Sequence, residues 1–220
     1  MKGITLGILG LGSQTTAFYL KEINRVFNEK KGGYSTCPFV LLNTNFDAIN
    51  QLLPNVSKEL DAVVQAYISE IENTEVQHLL IPNITLHETI DRLKFNKSIL
   101  HPVQICISKV KENNWKQVVL VGSLYTMQSN YIRANFAKNG IEIILPSEED
   151  RQFIDQVRKA VYAETQTEEL IKNYHLTIEK YAKNHTVILA CTELSIFKLN
   201  HKNLLDMAQL HIEEAVKTVL

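Results

Sequence analysis

The sequence lacks two features that would assign it to common classes of protein. It has no excess charge of either sign, because 23 Lys and Arg residues stand against 24 Asp and Glu residues. A balanced chain does not have the broadly positive surface that collects nucleic-acid phosphates or anionic lipids. No apolar run approaches the roughly 18 residues that a transmembrane helix needs. We therefore expect neither nucleic acid nor a membrane as a partner.

Cysteines are also few, and the residue spacings typical of metal sites are missing. The three cysteines, Cys37, Cys106 and Cys191, are odd in number and have no paired spacing. This argues against a disulfide framework and fits a reducing cytoplasm. The seven histidines show no H-x-x-x-H spacing and no cysteine pair to join them, so we expect no metal. The apolar run near the start, MKGITLGILGLGS, is short and broken by glycine, so we expect no signal peptide.

What the sequence does contain is an alternation of short apolar runs and longer segments of helical period. This pattern is typical of an α/β protein with parallel sheets, and 45% hydrophobic residues are ample for its core. The predicted strands are 4–10, 38–43, 77–82, 117–123, 141–146 and 186–191. The predicted helices lie near 15–30, 57–73, 86–95, 126–139, 148–163 and 166–183, and another covers 205–220.

The order of these elements indicates an internal duplication. In each half a strand leads into a polar turn and a helix, GLGSQTT at 10–16 and GSLYTMQS at 122–129. In each half a later strand also ends in a polar turn, PNITLHE at 82–88 and ACTELS at 190–195. Such turns lie at the carboxyl ends of parallel strands, where ligands usually bind. We therefore expect four loops to line one cleft between two similar lobes.

The first of these turns does not match a nucleotide-binding motif. Gly7, Gly10 and Gly12 do not form G-x-G-x-x-G, because Gln14 and Thr15 follow where the last glycine belongs. No acidic residue ends the second predicted strand either. The turn is therefore expected to present backbone N–H groups to a smaller anion.

Cys191 stands at the exit of an apolar strand and is followed by Thr192 and Glu193, which can begin a helix. The dipole of such a helix would favour a thiolate. The residues alone leave two interpretations open, a buried cysteine that acts as a small hydrophobe and a catalytic thiol. Cys37 at a strand start and Cys106 within VQICIS favour a structural role.

Two histidines have equally open interpretations. His87 follows the strand that ends at Pro82, where it can cap a helix, bind a carboxylate or simply pack. His211 lies in the last predicted helix, five residues after Asp206. It either ties that helix to the rest of the protein or takes part in catalysis.

Six segments together resemble the aspartate/glutamate racemase family, the amino-acid racemases that need no pyridoxal phosphate. The closest resemblance is to the branch with broad specificity for acidic amino acids. The segments occur in the family's order and span nearly the whole chain: GILGLGS at 7–13, LLNTNFDAI at 41–49, TLHE at 85–88, the stretch 122–151, LACTEL at 189–194 and LDMAQLHIEEAV at 205–216.

The resemblance implies an α/β fold of two similar lobes, each a mainly parallel sheet flanked by helices, with the active site in the cleft between them. The first lobe would comprise 1–97 with 201–220, and the second 98–200. The resemblance also implies a homodimer that acts on a small amino acid or dicarboxylate without a cofactor. In the family, two cysteines at the ends of equivalent strands remove and return the α-proton. A thiol suits this exchange because its pKa, about 8.5, is close to neutrality.

By resemblance, Cys191 matches the second cysteine of the family and would be the main acid and base. Thr85, Thr126 and Thr192 match residues that hold the substrate carboxylate or its enediolate, as hydroxyl groups can. Ser13 and Asn45 would also bind substrate. His87 and Glu193 would support the polar turns.

The chain departs from the family where the first cysteine belongs, since Asn83 occupies that position. The close branch often has threonine there, and Ile84 replaces the usual asparagine. A carboxamide has no proton that it exchanges readily near neutral pH. The opening loop is also one residue short, with Leu11 in place of a glycine. Two alternatives therefore stay open beside a racemase: a single-cysteine decarboxylase or isomerase of a small dicarboxylic acid, and a catalytically impaired carboxylate-binding relative.

Overall fold

The computed structural model describes residues 3–220, and the chain divides into two compact units. The first comprises the residues up to His101 together with His211–Leu220, and the second comprises Pro102–Leu210. Each unit contains one four-stranded parallel sheet. The predicted α/β class with two similar lobes is confirmed.

The first unit is built on a sheet of strand order β2-β1-β3-β4, with every neighbouring pair parallel. Its strands are β1 (Leu6–Gly10), β2 (Val40–Asn43), β3 (His78–Leu80) and β4 (Ser98–Leu100). Its helices are α1 (Ser13–Lys31), α2 (Phe46–Asn50), α3 (Lys58–Glu72) and α4 (His87–Ile90).

The core of this unit forms where α3 packs on β1. Leu60, Val64 and Ile68 recur every four residues on one face of α3, and all are buried. They join Leu9 of β1 and Leu79 of β3 in one apolar cluster. The helical period thus supplies one apolar stripe, and the buried strands supply the surface that it covers.

The second unit repeats this arrangement with strand order β6-β5-β7-β8, again all parallel. Its strands are β5 (Gln117–Gly122), β6 (Glu142–Ile144), β7 (Thr186–Ala190) and β8 (Leu204–Asp206). Its helices are α5 (Pro102–Glu112), α6 (Leu124–Gln128), α7 (Asn130–Lys138), α8 (Glu148–Tyr162), α9 (Glu168–Ala182) and α10 (Thr192–Ile196). The last helix, α11 (Met207–Lys217), contains the boundary at His211.

In this unit α8 packs on β5 and α9 packs on β7. Helix α8 begins where Ser147 caps it, its Oγ accepting from the backbone N–H of Asp150 at 3.2 Å. Acidic side chains fill its first turn, where the positive end of the helix dipole stabilises them. Within residues 3–220, no helix combines the length and apolar character needed to cross a bilayer.

Four helical segments differ from the sequence prediction. The segment 126–139 contains two helices rather than one, because Ser129 is extended and caps α7 through the N–H of Tyr131 at 3.2 Å. The helix predicted over 86–95 spans only His87–Ile90. Helices α2 and α5 were not predicted.

Candidate functional site

The predicted site residues form two groups, each at the carboxyl edge of one sheet. In the second unit, Thr126 follows β5, and Cys191, Thr192 and Glu193 follow the neighbouring strand β7. In the first unit, the predicted residues follow the three adjacent strands β1, β2 and β3: Ser13, Asn45, Asn83 and Thr85. The structure therefore places both groups where parallel α/β sheets present ligand-binding loops.

Cys191 is the residue at which β7 becomes α10. It is extended, at φ −157° and ψ 125°, and it occupies the cap position of the helix. Its side chain is largely buried, with 7% of the residue exposed. Its thiol donates to Oε2 of Glu193 at 3.0 Å. The strand exit thus carries a thiol paired with a carboxylate, an arrangement that can move a proton.

The surroundings of Cys191 favour the protonated thiol. Burial raises the pKa of Cys191 well above its ordinary value, and the charge and hydrogen bond of Glu193 raise it further. The positive charge of Arg158 and the backbone N–H of Leu194 act in the opposite direction. The helix start predicted at Thr192 is present, but its favourable effect on the thiolate is smaller than the cost of burial.

Thr126 is held against the end of the strand that precedes Cys191. Its backbone N–H donates to Oγ of Ser123 at 3.1 Å, and the two hydroxyls are 2.8 Å apart. Gly122 pairs with Ala190, and a Cβ added at Gly122 would lie 3.0 Å from both the carbonyl oxygen of Ala190 and Cγ2 of Thr126. The absence of a side chain at Gly122 therefore lets Thr126 pack beside the strand end at Ala190.

Asp155 holds the same turn from α8, and the sequence did not single it out. Its Oδ1 accepts from the backbone N–H of Leu124 and from Nε of Arg158, both at 3.0 Å. Its Oδ2 lies 2.8 Å from Nζ of Lys159. Burial alone would raise the pKa of Asp155, but the hydrogen bonds of Lys159 and Leu124 and the charge of Arg158 lower it. The carboxylate is therefore charged and anchors the turn that carries Thr126.

In the first unit, Asn83 is built into the turn that follows β3. Its Oδ1 accepts from the backbone N–H of Leu86 at 3.0 Å, and its carbonyl oxygen lies 2.7 Å from Nδ1 of His87. Since Oδ1 is engaged, the side chain presents its NH2 group as a donor. No described residue from 3 to 220 accepts a hydrogen bond from that group. The side chain of Asn83 thus offers hydrogen-bond donors and, as a carboxamide, no group that titrates near neutral pH.

His87 lies beneath this turn and is fully buried. Its ring is 4.6 Å from that of His101 and 6.0 Å from that of His211, centre to centre. Burial, followed by the charges of these two histidines, lowers the pKa of His87 well below its usual value. His87 is therefore neutral, and because the carbonyl of Asn83 only accepts, the proton is on Nδ1.

His211 ties helix α11 to the first unit, one of its two predicted roles. Its Nε2 lies 2.6 Å from the carbonyl oxygen of Leu100, and its Nδ1 lies 3.1 Å from the hydroxyl of Tyr19. The carbonyl accepts the Nε2 proton, so Nδ1 accepts from the tyrosine. Burial lowers the pKa of His211 to about 3. The ring is a neutral link within the core.

The remaining residues at this edge are more exposed. Ser13 is exposed at the start of α1, and Thr85 is half-buried in the turn after Asn83. Asn45 is exposed and caps α2, accepting from the N–H of Asp47 at 3.3 Å. Thr44, which the sequence did not single out, donates from both N and Oγ1 to the carbonyl oxygen of Gly10 at 2.9 Å. These two hydrogen bonds join the end of β2 to the end of β1.

The other two cysteines lie away from both groups. Cys37 and Cys106 are buried and form no disulfide, and burial raises the pKa of Cys37 to about 11. Burial also raises the pKa of Cys106, which faces the core from α5. Across residues 3–220, no three side chains of His, Cys, Asp or Glu cluster as metal ligands.

Comparison with known families identifies the chain. The sequence profile of the Asp/Glu/hydantoin racemase family matches residues 8–215, which include both groups of site residues. The protein belongs to this racemase family. No curated protein matches the sequence.

Solved structures of racemase-like proteins have the same fold. A putative Asp/Glu racemase from Yersinia pestis is 21% identical, with a TM-score of 0.82 and 99% of each chain covered. An aspartate racemase homologue from Pyrococcus horikoshii OT3 is 17% identical, with a TM-score of 0.83 and the same coverage. Picrophilus torridus aspartate racemase is 18% identical, with a TM-score of 0.75 over 99% of this chain and 94% of that one. At these identities the likeness concerns the fold.

Within the racemase family, the two strand-end turns of this chain are chemically unequal. The turn after β7 offers a thiol in contact with a carboxylate. The turn after β3 offers the carboxamide of Asn83, whose oxygen already accepts a hydrogen bond from the backbone N–H of Leu86. One unit therefore carries a group that can exchange a proton, and the other carries a group that can donate hydrogen bonds.

Proposed function

We propose that the protein is a cofactor-independent racemase of an acidic amino acid, with Cys191 as its main acid and base. The observation that carries this proposal is the hydrogen bond of 3.0 Å between the thiol of Cys191 and Oε2 of Glu193 at the end of β7. It supplies a proton donor and a proton acceptor in contact, in a chain that belongs to the racemase family.

The proton moves in two steps. The thiol proton of Cys191 first passes to Glu193, which leaves a thiolate and a neutral carboxylic acid. The thiolate then removes the α-proton of the amino acid, and the pair of electrons left on the α-carbon spreads into the carboxylate as an enediolate. The α-proton is very weakly acidic, so the enediolate must be stabilised where it forms. The buried hydroxyls of Thr126 and Thr192, at the same sheet edge, are proposed to donate to it.

Asn83 is proposed to bind a carboxylate rather than to return the proton. Its amide N–H groups are donors, and its oxygen is occupied by the N–H of Leu86. The proton for the second face would then come from water or a neighbouring polar group. We expect inversion to be slower than exchange, because only one face has a dedicated proton-transfer group.

A second candidate is a decarboxylase or isomerase of a small dicarboxylic acid that uses Cys191 alone. The geometry of Asn83 is compatible with this second candidate, because its fixed amide donor can bind the second carboxylate of a dicarboxylic acid as well as the carboxylate of an amino acid. A carboxylate-binding protein without turnover is the outcome if neither chemistry occurs.

Incubation in heavy water separates these functions. The purified protein is mixed with L- and D-aspartate, L- and D-glutamate, and malonate- and maleate-type acids, and products are followed by NMR and chiral chromatography. A racemase incorporates α-deuterium and inverts configuration, and the asymmetric site predicts that deuterium enters the starting enantiomer first. Loss of a dicarboxylic acid without exchange of any amino acid would instead establish the second candidate. Thermal stabilisation by these acids with no exchange or turnover would overturn both.

We further propose that the protein acts as a homodimer, as the family resemblance implies, and that it is cytoplasmic. The three free cysteines suit a reducing compartment. Light scattering after size-exclusion chromatography should give about twice the mass of the 25.1 kDa chain. A mass equal to one chain at micromolar concentration would contradict the dimer.

A further inference from the structure

Asp206, the last residue of β8, is a buried carboxylate that the proposed reaction does not use. Only 7% of the residue is exposed. It pairs in register with Leu189 of the neighbouring strand β7, two residues before Cys191. A buried carboxylate is costly unless other groups hold it, so the contacts of Asp206 show what the position requires.

The two oxygens of Asp206 are held differently. Oδ1 accepts from the hydroxyl of Ser195 at 2.8 Å and from the backbone N–H groups of Ala208 and Gln209 at 3.0 and 3.4 Å. Oδ2 is buried and accepts no hydrogen bond from the part of the chain that the structure describes, and Nζ of Lys198 lies 3.3 Å from it in an ion pair. The side chain is therefore fixed through Oδ1, and Ser195 supplies the shortest of the three hydrogen bonds at that oxygen.

Capping of α11 explains only part of this arrangement. The N–H groups of Ala208 and Gln209 belong to the first turn of α11, and Asp206 precedes that helix as a capping residue does. Asparagine or serine would also cap the helix, and neither would bury a charge. The hydroxyl of Ser195 comes from another helix, α10, so Asp206 joins α10 to the start of α11.

Ser195 extends this contact to Cys191. It is 2% exposed, and the carbonyl oxygen of Cys191 lies 3.1 Å from its Oγ and accepts from its backbone N–H at 3.2 Å. The one proton of the hydroxyl is thus shared between this carbonyl and the carboxylate of Asp206. The carbonyl belongs to the peptide bond that leads from Cys191 into Thr192, so holding it fixes the start of α10. The hydrogen bond between the thiol and Glu193 spans the same peptide bond.

We propose that Asp206 is a positioning residue: through the hydroxyl of Ser195 it holds the start of α10 and so keeps the thiol of Cys191 in contact with its carboxylate partner. The inference rests on the proposed function in giving this contact its use, but the contact can be measured without substrate. Asp155 holds the turn after β5 in a similar way, through the backbone N–H of Leu124. Each of the two turns in the second unit is therefore held by a buried carboxylate from another element.

The test is a double-mutant cycle on the alkylation of Cys191, followed by mass spectrometry of its peptide at one pH below the pKa of the thiol. Glu193→Gln removes a charge that raises this pKa, so it should raise the rate of iodoacetamide modification about 10- to 100-fold. The same substitution is then made in Ser195→Ala. If the hydroxyl holds the contact, the ratio of the two rates should be about three- to tenfold smaller in this background. Greater access to the sulfur changes both rates equally, so the ratio reports the contact.

Ser57→Ala is the matched control. Ser57 caps α3 in the first unit, where its Oγ accepts from the N–H of Leu60 at 3.0 Å, so its loss should cost a similar amount of stability. We expect the ratio in this background to equal that of the wild type. An unchanged ratio in Ser195→Ala, or an equal decrease in both backgrounds, would overturn the proposal.

A second variant tests the carboxylate itself. Asp206→Asn keeps an oxygen for the N–H groups of α11 but removes the charge, and hydrogen bonds to a charged acceptor are about twice as strong as those to a neutral one. The ratio should therefore lie between those of the wild type and Ser195→Ala. Adding Asp206→Asn to Ser195→Ala should change the ratio no further. A wild-type ratio in Asp206→Asn, or a further decrease in the combined variant, would contradict the action through Ser195.

Amide hydrogen exchange of the wild type keeps the proposal testable if Ser195→Ala does not fold. The N–H of Ser195 donates to Cys191, and those of Ala208 and Gln209 donate to Asp206. If one network holds them, the three amides should open together, with protection factors within about tenfold of one another. A Ser195 amide whose protection differs by more than this would show that α10 and α11 open independently, against the proposal. These readouts need no substrate, so a protein that fails the heavy-water assay but gives the expected ratios would refute the proposed function alone.

Discussion

Glu193→Gln should make the thiol of Cys191 more reactive and the enzyme less active. In the wild type, the carboxylate of Glu193 accepts the thiol proton at 3.0 Å and raises the pKa of Cys191 by its charge and its hydrogen bond. Glutamine keeps the shape of the side chain but removes the charge, and its NH2 group can donate to the sulfur. The thiolate is therefore stabilised, but the proton has lost its acceptor.

The size of both effects follows from the contact. A hydrogen bond that involves a charged group contributes about 1.5 to 3 kcal/mol. Since one pKa unit corresponds to about 1.4 kcal/mol, the pKa of Cys191 should fall by about one to two units. At a fixed pH below the pKa, the alkylation rate of Cys191 should rise about 10- to 100-fold. Loss of the proton acceptor should reduce the α-exchange rate by about 10²- to 10⁴-fold.

Two measurements on one preparation decide this prediction. The alkylation rate of Cys191 is measured from pH 6 to pH 10, and α-deuterium exchange is measured at neutral pH. Glu149→Gln is the control, because Glu149 is an exposed acid in the first turn of α8. An alkylation rate that is unchanged or lower in Glu193→Gln would show that the carboxylate does not restrain the thiol. Unchanged exchange would show that it is not the proton acceptor.

Three further predictions concern the turns and the core. Gly122→Ala should lower the unfolding free energy measured in urea by about 1 to 3 kcal/mol and slow α-proton exchange, because the new Cβ would lie 3.0 Å from the carbonyl oxygen of Ala190. The control Gly3→Ala should change neither the stability nor the exchange rate. Asn83→Cys should raise the ratio of racemisation to exchange, measured by chiral chromatography, although it removes a turn hydrogen bond. His211 has its pKa lowered to about 3 from 6.5, so the unfolded chain takes up the proton first as the pH falls. Stability should therefore be full above pH 6.5 and decrease by roughly 3 kcal/mol between pH 7 and pH 4, and urea midpoints that do not fall would contradict this.

The central strands were predictable because their composition follows directly from burial. In β1, β5 and β7, nearly every residue is covered, and such strands appear in the sequence as continuous apolar runs. The two strands missed, β4 and β8, are edge strands of three residues, too short to show a period.

Helix α5 was missed although its signal is present in the sequence. Val103, Cys106, Ile107 and Val110 are spaced as one face of a helix, and all are buried. Val103, Ile107 and Val110 are β-branched, a type of residue that favours strands over helices. The break between α6 and α7 depends on a single serine cap at Ser129, which composition alone does not distinguish from helix interior.

At the candidate site, local features were predictable and distant ones were not. Cys191, at the end of its strand, and its hydrogen-bond acceptor Glu193 are two residues apart in sequence. The hydrogen bond between Asn83 and Leu86 spans three residues, and its turn pattern is visible in the sequence. In contrast, Asp155 reaches the N–H of Leu124 across 31 residues. Such contacts exist only once α8 has packed on the sheet, so no spacing rule predicts them.

The most direct test of Cys191 as the acid and base is α-proton exchange in heavy water by Cys191→Ala, beside the wild type and Cys37→Ala. Each protein is incubated with the acidic amino acid that the wild type exchanges, and the α-proton signal is followed by NMR. We predict that Cys191→Ala loses exchange of both enantiomers by at least about 10³-fold while its unfolding midpoint stays close to that of the wild type. Cys37→Ala, which alters a buried cysteine outside both strand-end turns, should keep its exchange. Exchange that persists in Cys191→Ala at the wild-type rate would contradict the assignment.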